Sequence, residues 1–373
     1  MLHRAGIPYI IDMGYSNPKY TNEHNVLLIN GKGQVGDGDV WCDFGEYPQN
    51  RAIWGKTDII ISTGKQSGSD YFNLICDPTN MYPVKELKSW KREVIGWNGL
   101  FLLRDKINAT EKVNMELLLH SYASRKGKKD AYEYSKNRHV NPFSSNVEDE
   151  KGATQWTIDP RKGKAPLLLV KDLSSSKWNS KIDEAWFYDN YLRKKDGSGH
   201  VQLGSVLKRN QIAKKSTSLL FLGFKDQLRD MTISKLDKGE GVQIKNKNGE
   251  VVKEVAWKSK YKTQRLHFEG EMAGIEYAGS NAISWFGRQI TLLKDKNITL
   301  LEADKNVSVH TSVEQNLMTL HFSLKQNTQI KLYVSTLPKA IKGGSHNIKF
   351  THNNGIITFN LEKAKSCILN ITL

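Results

Sequence analysis

The sequence predicts an all-β chain: a large antiparallel β-sandwich followed by a small β-module. Three observations carry that expectation. Short β-branched or aromatic segments bounded by Gly, Asn, Asp or Lys recur along the chain. Asn-Gly pairs stand between several of them, at Asn98-Gly99, Asn248-Gly249 and Asn354-Gly355, where tight hairpin turns need positive φ. No long stretch repeats its apolar residues with a helical period. The best helical candidate, NSKIDEAWFYDNYLRKK over 179–195, amounts to one short piece.

In chain order, NVLLING (25–31), TDIIIST (57–63), KREVIGWNGLFLLRDKI (91–107) and NMELLLHSYA (114–123) read as strands or hairpins. TSLLFLGF (217–224) and QIKLYVSTL (329–337) follow the same pattern. The polar, Ser-rich stretch 124–152 reads as a long excursion between strands, and KKDGSGH (194–200) as a loop tip. From about residue 295 the pattern becomes short strands with regular turns. The expected division is therefore a β-sandwich over 1–295 and a small β-sandwich module over 296–373.

Fifty-five Lys and Arg against 39 Asp and Glu give a formal net charge of +16. Such a surface attracts polyanions: nucleic acid, an anionic membrane surface or an acidic polysaccharide. Nucleic acid is disfavoured, because the chain carries no recognisable binding motif and its aromatics are not interleaved with basic residues on a strand platform. No apolar run approaches the roughly 20 residues that cross a membrane as a helix. The beginning, MLHRAGIPYIIDMG, lacks the long apolar region and cleavage pattern of a signal peptide. Cys42, Cys76 and Cys367 form no CxxC pair and no disulfide framework, which fits inert thiols.

Two glycine-rich motifs fail on inspection. In GKGQVGDGD (31–39) Lys32 is followed by Gly33 where a phosphate loop needs Ser or Thr. DGDVWCDFG (37–45) lacks the sixth-position glycine of a calcium loop and is not closed by a glutamate. The ten histidines include no HExxH, so any constellation must be long-range. His24, Asp43 and His120 would make a reasonable divalent-metal set, most naturally for zinc. The ordinary alternative for a histidine at a strand end is a hydrogen-bonded structural role.

PYIIDMGYSNPKYTNEHNVLLINGKGQ (8–34) resembles the C-terminal β-sandwich region of heparinase II/III-like polysaccharide lyases. The features are an apolar strand ending in Asp-x-Gly (Ile10–Gly14), a tyrosine (Tyr15 or Tyr20), the pair His24-Asn25 entering a strand, and the turn Gly31–Gln34. The resemblance continues through DYFNLICDPTNMYP (70–83) with Asp77 and Tyr82, and through the Arg-bearing hairpin 88–107. It ends at LLLHSYA (117–123) with His120.

It implies cleavage of the glycosidic bond beside a uronic acid by β-elimination. His24 and Tyr20 would be catalytic, with Asn22 and Gln34 holding substrate. A structural zinc would sit on His24, Asp43 and His120, with Asp77 as the competing carboxylate. The implied partner is an acidic polysaccharide, in the periplasm or outside the cell. An N-terminal helical α/α toroid would form the opposite wall. Seven residues precede PYIIDMG, so the expectation is the C-terminal part of a lyase, incomplete on its own. The alternative is a non-catalytic carbohydrate-binding or structural β-sandwich.

Overall fold

A computed structural model describes residues 2–4, 7–10, 21–35, 56–63, 71–121, 124–125, 146–150, 155–159, 166–187, 202–314, 316–343 and 346–373. Among these, strands dominate and no α-helix occurs; two single 3-10 turns lie at Thr21–Glu23 and Thr79–Met81. The all-β expectation holds. Tyr15, Tyr20 and Asp43 lie outside the described residues, as do most of 124–152 and the loop tip 194–200.

The chain divides into two compact units. The first comprises 1–57, 76–93 and 102–227, and the second 58–75, 94–101 and 228–373. In the first, the long strands Leu100–Ser121 and Gln202–Phe224 are neighbours in one sheet, which continues through Leu168–Asp172 and Gln155–Asp159 to Asn146–Glu150. A typical strand runs about 3–10 residues, and Gln202–Phe224 exceeds this by changing partners. Its first part pairs with Asn179–Phe187 and its last part with Leu168–Asp172.

Strand Leu27–Ile29 pairs antiparallel with Met115–Leu117 and is buried at every residue. Leu27 and Ile29 join Tyr82, Trp90, Met115 and Leu117 in one apolar cluster. Leu28 points the other way, to Leu118, Ala185 and Val206. A strand covered on both faces reads as an unbroken apolar run rather than an alternation. This is why the sequence reads VLLI there.

Asn30 and Gly31 follow at φ 50° and 76°. Ile29 and Lys32 exchange backbone hydrogen bonds of 3.0 and 2.9 Å across them. This is a two-residue hairpin turn of the kind that demands positive φ at both centres. The glycine turns the chain.

In the second unit, Asn281–Asp295 and Ile298–Glu314 form a long hairpin flanked by Met272–Ala278 and Leu317–Leu324. Phe268, Ile275, Ile290, Leu293, Val309, Phe322 and Ile371 are in its core. The boundary expected at 295 falls in the turn of this hairpin, so the sheet runs straight across it. Lys296 and Asn297 form the reversal between its two strands.

Two expectations change. Asn179–Phe187 is a strand, not a helix, because nine residues of Gln202–Phe224 offer it a complete hydrogen-bond ladder. The segments read as ending near 107 and starting near 114 are one strand, Leu100–Ser121. Polar residues at 110–112 stay exposed without breaking it.

Gly270 marks a tight backbone approach. Its φ is 148°, and a Cβ there would sit 2.5 Å from the Gln289 carbonyl oxygen and 2.6 Å from Ile290 Cα. Both neighbours are main chain and cannot rotate away. Gly270→Ala is expected to cost about 2–4 kcal/mol in denaturant unfolding, from strain plus overpacking.

Candidate functional site

Among the described residues from which the family resemblance was drawn, His120 and the Arg92 hairpin meet at Asn25. The 3-10 turn Thr21–Glu23 is closed by the His24 amide, which donates to the Thr21 carbonyl at 3.1 Å. The Val26 amide donates to the His24 carbonyl at 3.0 Å, so His24 and Asn25 occupy a bend before the buried strand. The Asn25 side-chain oxygen accepts the His120 amide proton at 2.6 Å, and the Asn25 carbonyl accepts from Arg92 Nη1. The residue beside His24 is thus bonded to His120's own backbone.

Arg92 is held from behind. Its Nε and Nη2 donate to the two carboxylate oxygens of Asp105 at 2.8 and 3.1 Å, a bidentate fork. Trp90 Nε1 donates to the same Asp105 Oδ1 at 2.8 Å, and the guanidinium lies 5.1 Å from the Trp90 ring centroid. Asp105 is 1% exposed. A carboxylate so deeply buried persists only with such partners. Arg92 spends these bonds on orientation and acts on the bend as a clamp.

Tyr82 straps the far side. Its hydroxyl donates to the Leu27 carbonyl at 2.6 Å, and its ring meets Trp90 edge-on at 5.4 Å. Burial first, against a hydrogen bond from Gln34, pushes its pKa well above the ordinary tyrosine value. Tyr82 is therefore built to hold its proton. Gln34, expected to touch substrate, is also tied to the bend: its backbone N–H donates to Thr21 Oγ1 at 2.9 Å.

Asn22 is exposed, His24 is half-buried and His120 is buried. Asp77 is committed elsewhere. Its Oδ1 accepts the Thr79 hydroxyl at 2.6 Å and the Thr79 amide at 3.2 Å, and Thr79 Oγ1 in turn accepts the Trp90 amide at 2.9 Å. No group of three His, Cys, Asp or Glu among the described residues is placed to hold a metal. The set His24, Asp77 and His120 is thus not assembled, and Asp43 lies outside the described residues.

Sequence reasoning named His24, Asn22, Gln34 and His120 but missed the clamp. Arg92 and Asp105 sit on a hairpin, 13 residues apart, and nothing in the spacing marks them as partners. The available signal was a Trp-x-Arg opposite an Asp across the Asn98-Gly99 turn.

Comparison with protein-family models finds no match, and comparison with curated proteins finds none either. Among solved structures, the chain is similar to a chondroitin AC lyase of Streptomyces coelicolor A3, at 7% identity over 81% of this chain and 35% of that one, with a TM-score of 0.41. It is similar to a Paenibacillus xanthan lyase at 9% identity, over 82% of this chain and 28% of that one, with a TM-score of 0.43. A heparan sulfate lyase from Pedobacter heparinus matches at 12% identity over 61% and 30%, with a TM-score of 0.36. The chain spans 28–35% of the length of these three structures.

Proposed function

We propose that the chain is the β-sandwich part of a polysaccharide lyase that cleaves uronic-acid-containing glycans by β-elimination. The His24–Asn25 bend forms one wall of its cleft. The observation that carries this reading is convergence: segments resembling one family, as much as 95 positions apart, meet in a single hydrogen-bonded network at Asn25. A net charge of +16 suits a polyanionic substrate. The same reading puts the protein in the periplasm or outside the cell.

In this chemistry the sugar carboxylate must be neutralised before the C5 proton becomes removable. A base takes that proton, and its electron pair forms the C4–C5 double bond. The C4–O bond breaks, and the leaving oxygen takes its pair and a proton from an acid. His24 and Tyr20 are assigned to the proton transfers on this wall, and Asn22 and Gln34 to holding the sugar. A helical α/α toroid supplies the facing wall.

A structural zinc belongs to the same reading, on His24, Asp43 and His120. It competes with catalysis for the His24 ring. With metal bound, His24 is a ligand and the proton transfers fall to Tyr20 and the facing wall. Metal analysis decides between the roles: on the order of one zinc per chain, lost in His120→Ala, identifies the ligand role.

The activity test follows the ultraviolet absorbance of the unsaturated product on heparan sulfate, hyaluronan and alginate. The chain alone is expected to give little product, and the chain supplied with a helical toroid to give product that His24→Ala or Tyr20→Phe reduces. Glycan binding with no product under either condition would identify a non-catalytic carbohydrate-binding sandwich instead.

A further inference from the structure

A second basic feature lies in the first unit, on the adjacent strands Leu87–Trp97, Leu100–Ser121 and Gln202–Phe224. A cleft of about 570 Å3 is lined there by Lys88, Ser89, Asn108, Thr110, Lys214 and Lys215. That volume falls in the range of about 300–1,000 Å3 common for ligand clefts. A regular strand would turn consecutive side chains to opposite faces, yet Lys214 and Lys215 both line the cleft. Lys214 and Lys215 are consecutive and both exposed, while the next residue, Ser216, is buried and bonded to Gln211.

The lining has a definite chemistry. Among the described residues it contains three lysines, no carboxylate, no aromatic ring and no arginine. Without an aromatic face it offers no stacking platform for a neutral sugar or a nucleobase. Without an arginine fork it lacks the geometry that grips a planar carboxylate bidentately. Lysine ammonium groups act as point charges with rotatable donors, which suits sulfate esters spaced along a chain. Asn108 Nδ2 donates to Ser89 Oγ at 2.9 Å, so the Ser89 hydroxyl proton remains to donate outward. Neutral donors thus accompany the three positive charges.

We propose that this cleft binds sulfated segments of an acidic glycan, as a site additional to the His24–Asn25 bend. The choice of a glycan as the polymer rests on the reading given above; the preference for sulfate rests on the cleft itself.

The test is titration of the full chain with a sulfated heparan oligosaccharide, with its desulfated counterpart, and with single-stranded DNA of similar charge. Two triple variants are compared: Lys88→Ala with Lys214→Ala and Lys215→Ala, and a charge control of Lys305→Ala with Lys325→Ala and Lys363→Ala, all exposed positions. The cleft variant is expected to weaken sulfated-glycan binding roughly tenfold or more, and the control by less than about threefold, because dispersed surface charges are screened. The desulfated chain should bind weakly to every form.

Equal losses in the two variants would overturn the proposal, as would equal affinity for the desulfated chain. DNA binding as tightly, with the same loss in the cleft variant, would make this a polyphosphate groove. Wild type that binds no acidic glycan would overturn both this site and the function proposed above. Binding lost in His24→Ala but kept in the lysine variant would remove this site alone.

Discussion

Asp105→Ala is expected to destabilise the first unit by about 3–5 kcal/mol, the usual cost of removing one partner from a buried ion pair. The loss has two identifiable parts. Arg92 keeps its charge with no carboxylate in front of it, and Trp90 Nε1 loses its acceptor in a site from which water is excluded. Asp105→Asn keeps an oxygen for both donors and should lose about half as much, since charge-assisted bonds are roughly twice as strong as neutral ones. Denaturant unfolding measures both. The same substitution frees Arg92 from its fork and so loosens the Asn25 bend. Amide exchange at His120, whose proton is held by Asn25 Oδ1, should quicken in Asp105→Ala even under conditions where the unit stays folded. Unchanged stability in Asp105→Ala would remove the clamp from the account.

A second large effect comes from the second unit and depends on pH. His310 is fully buried, its ring stacked on Tyr71 at 4.5 Å and 3°, and it stands opposite His321 on the neighbouring strand with ring centroids 6.4 Å apart. Burial, and then the neighbouring His321, lower the His310 pKa from 6.5 to about 3. Burial lowers that of His321 as well. A histidine whose folded pKa lies below its unfolded value contributes stability that is fully present above the unfolded pKa. That stability is lost as pH falls toward the folded one. The window here runs from about 6.5 down to about 3.

Between about pH 7 and pH 4.5 the loss from His310 alone should be of order 2–3 kcal/mol. Glu254 works the other way, since burial raises its pKa and protonation then favours the folded state. The clean quantity is therefore the difference between wild type and His310→Phe, which keeps a ring against Tyr71. His310→Phe should flatten the acid arm of the stability profile. Parallel profiles in the two proteins would contradict the assignment.

How far the sequence reached depended on whether the determining physics was local. The Asn-Gly turns were legible because one residue pair dictates the backbone. Asn98 and Gly99 take φ 45° and 80°, Asn354 and Gly355 take 49° and 77°, and both pairs close hairpins. At Asn248-Gly249 only the glycine has positive φ, and Asn246 organises the loop by accepting the amides of Asn248 and Glu250 at 2.9 and 3.0 Å. Asn179–Phe187 was not legible, because its strand state comes from a partner strand farther along the chain, from Asn210 opposite Asn179 to Gln202 opposite Phe187. The bend at His24 was visible as a motif, whereas its support was not. Arg92 and His120 reach Asn25, and Asp105 reaches Arg92, only after the strands carrying them have paired, and pairing register leaves no trace in local composition. The lysine cleft escaped for the same reason, since Lys88 and Lys214 are neighbours only in space.

Hydrogen exchange of the full chain, with and without an oligosaccharide rich in uronic acid, tests the assignment of the bend most directly. Heparan sulfate, hyaluronan and alginate oligosaccharides are the probes. With at least one of them, protection is expected in residues 22–26 and 118–121, and it should disappear in His24→Ala. Binding that leaves both segments unprotected, or protection that survives His24→Ala unchanged, would show that the glycan wall is not at the His24–Asn25 bend.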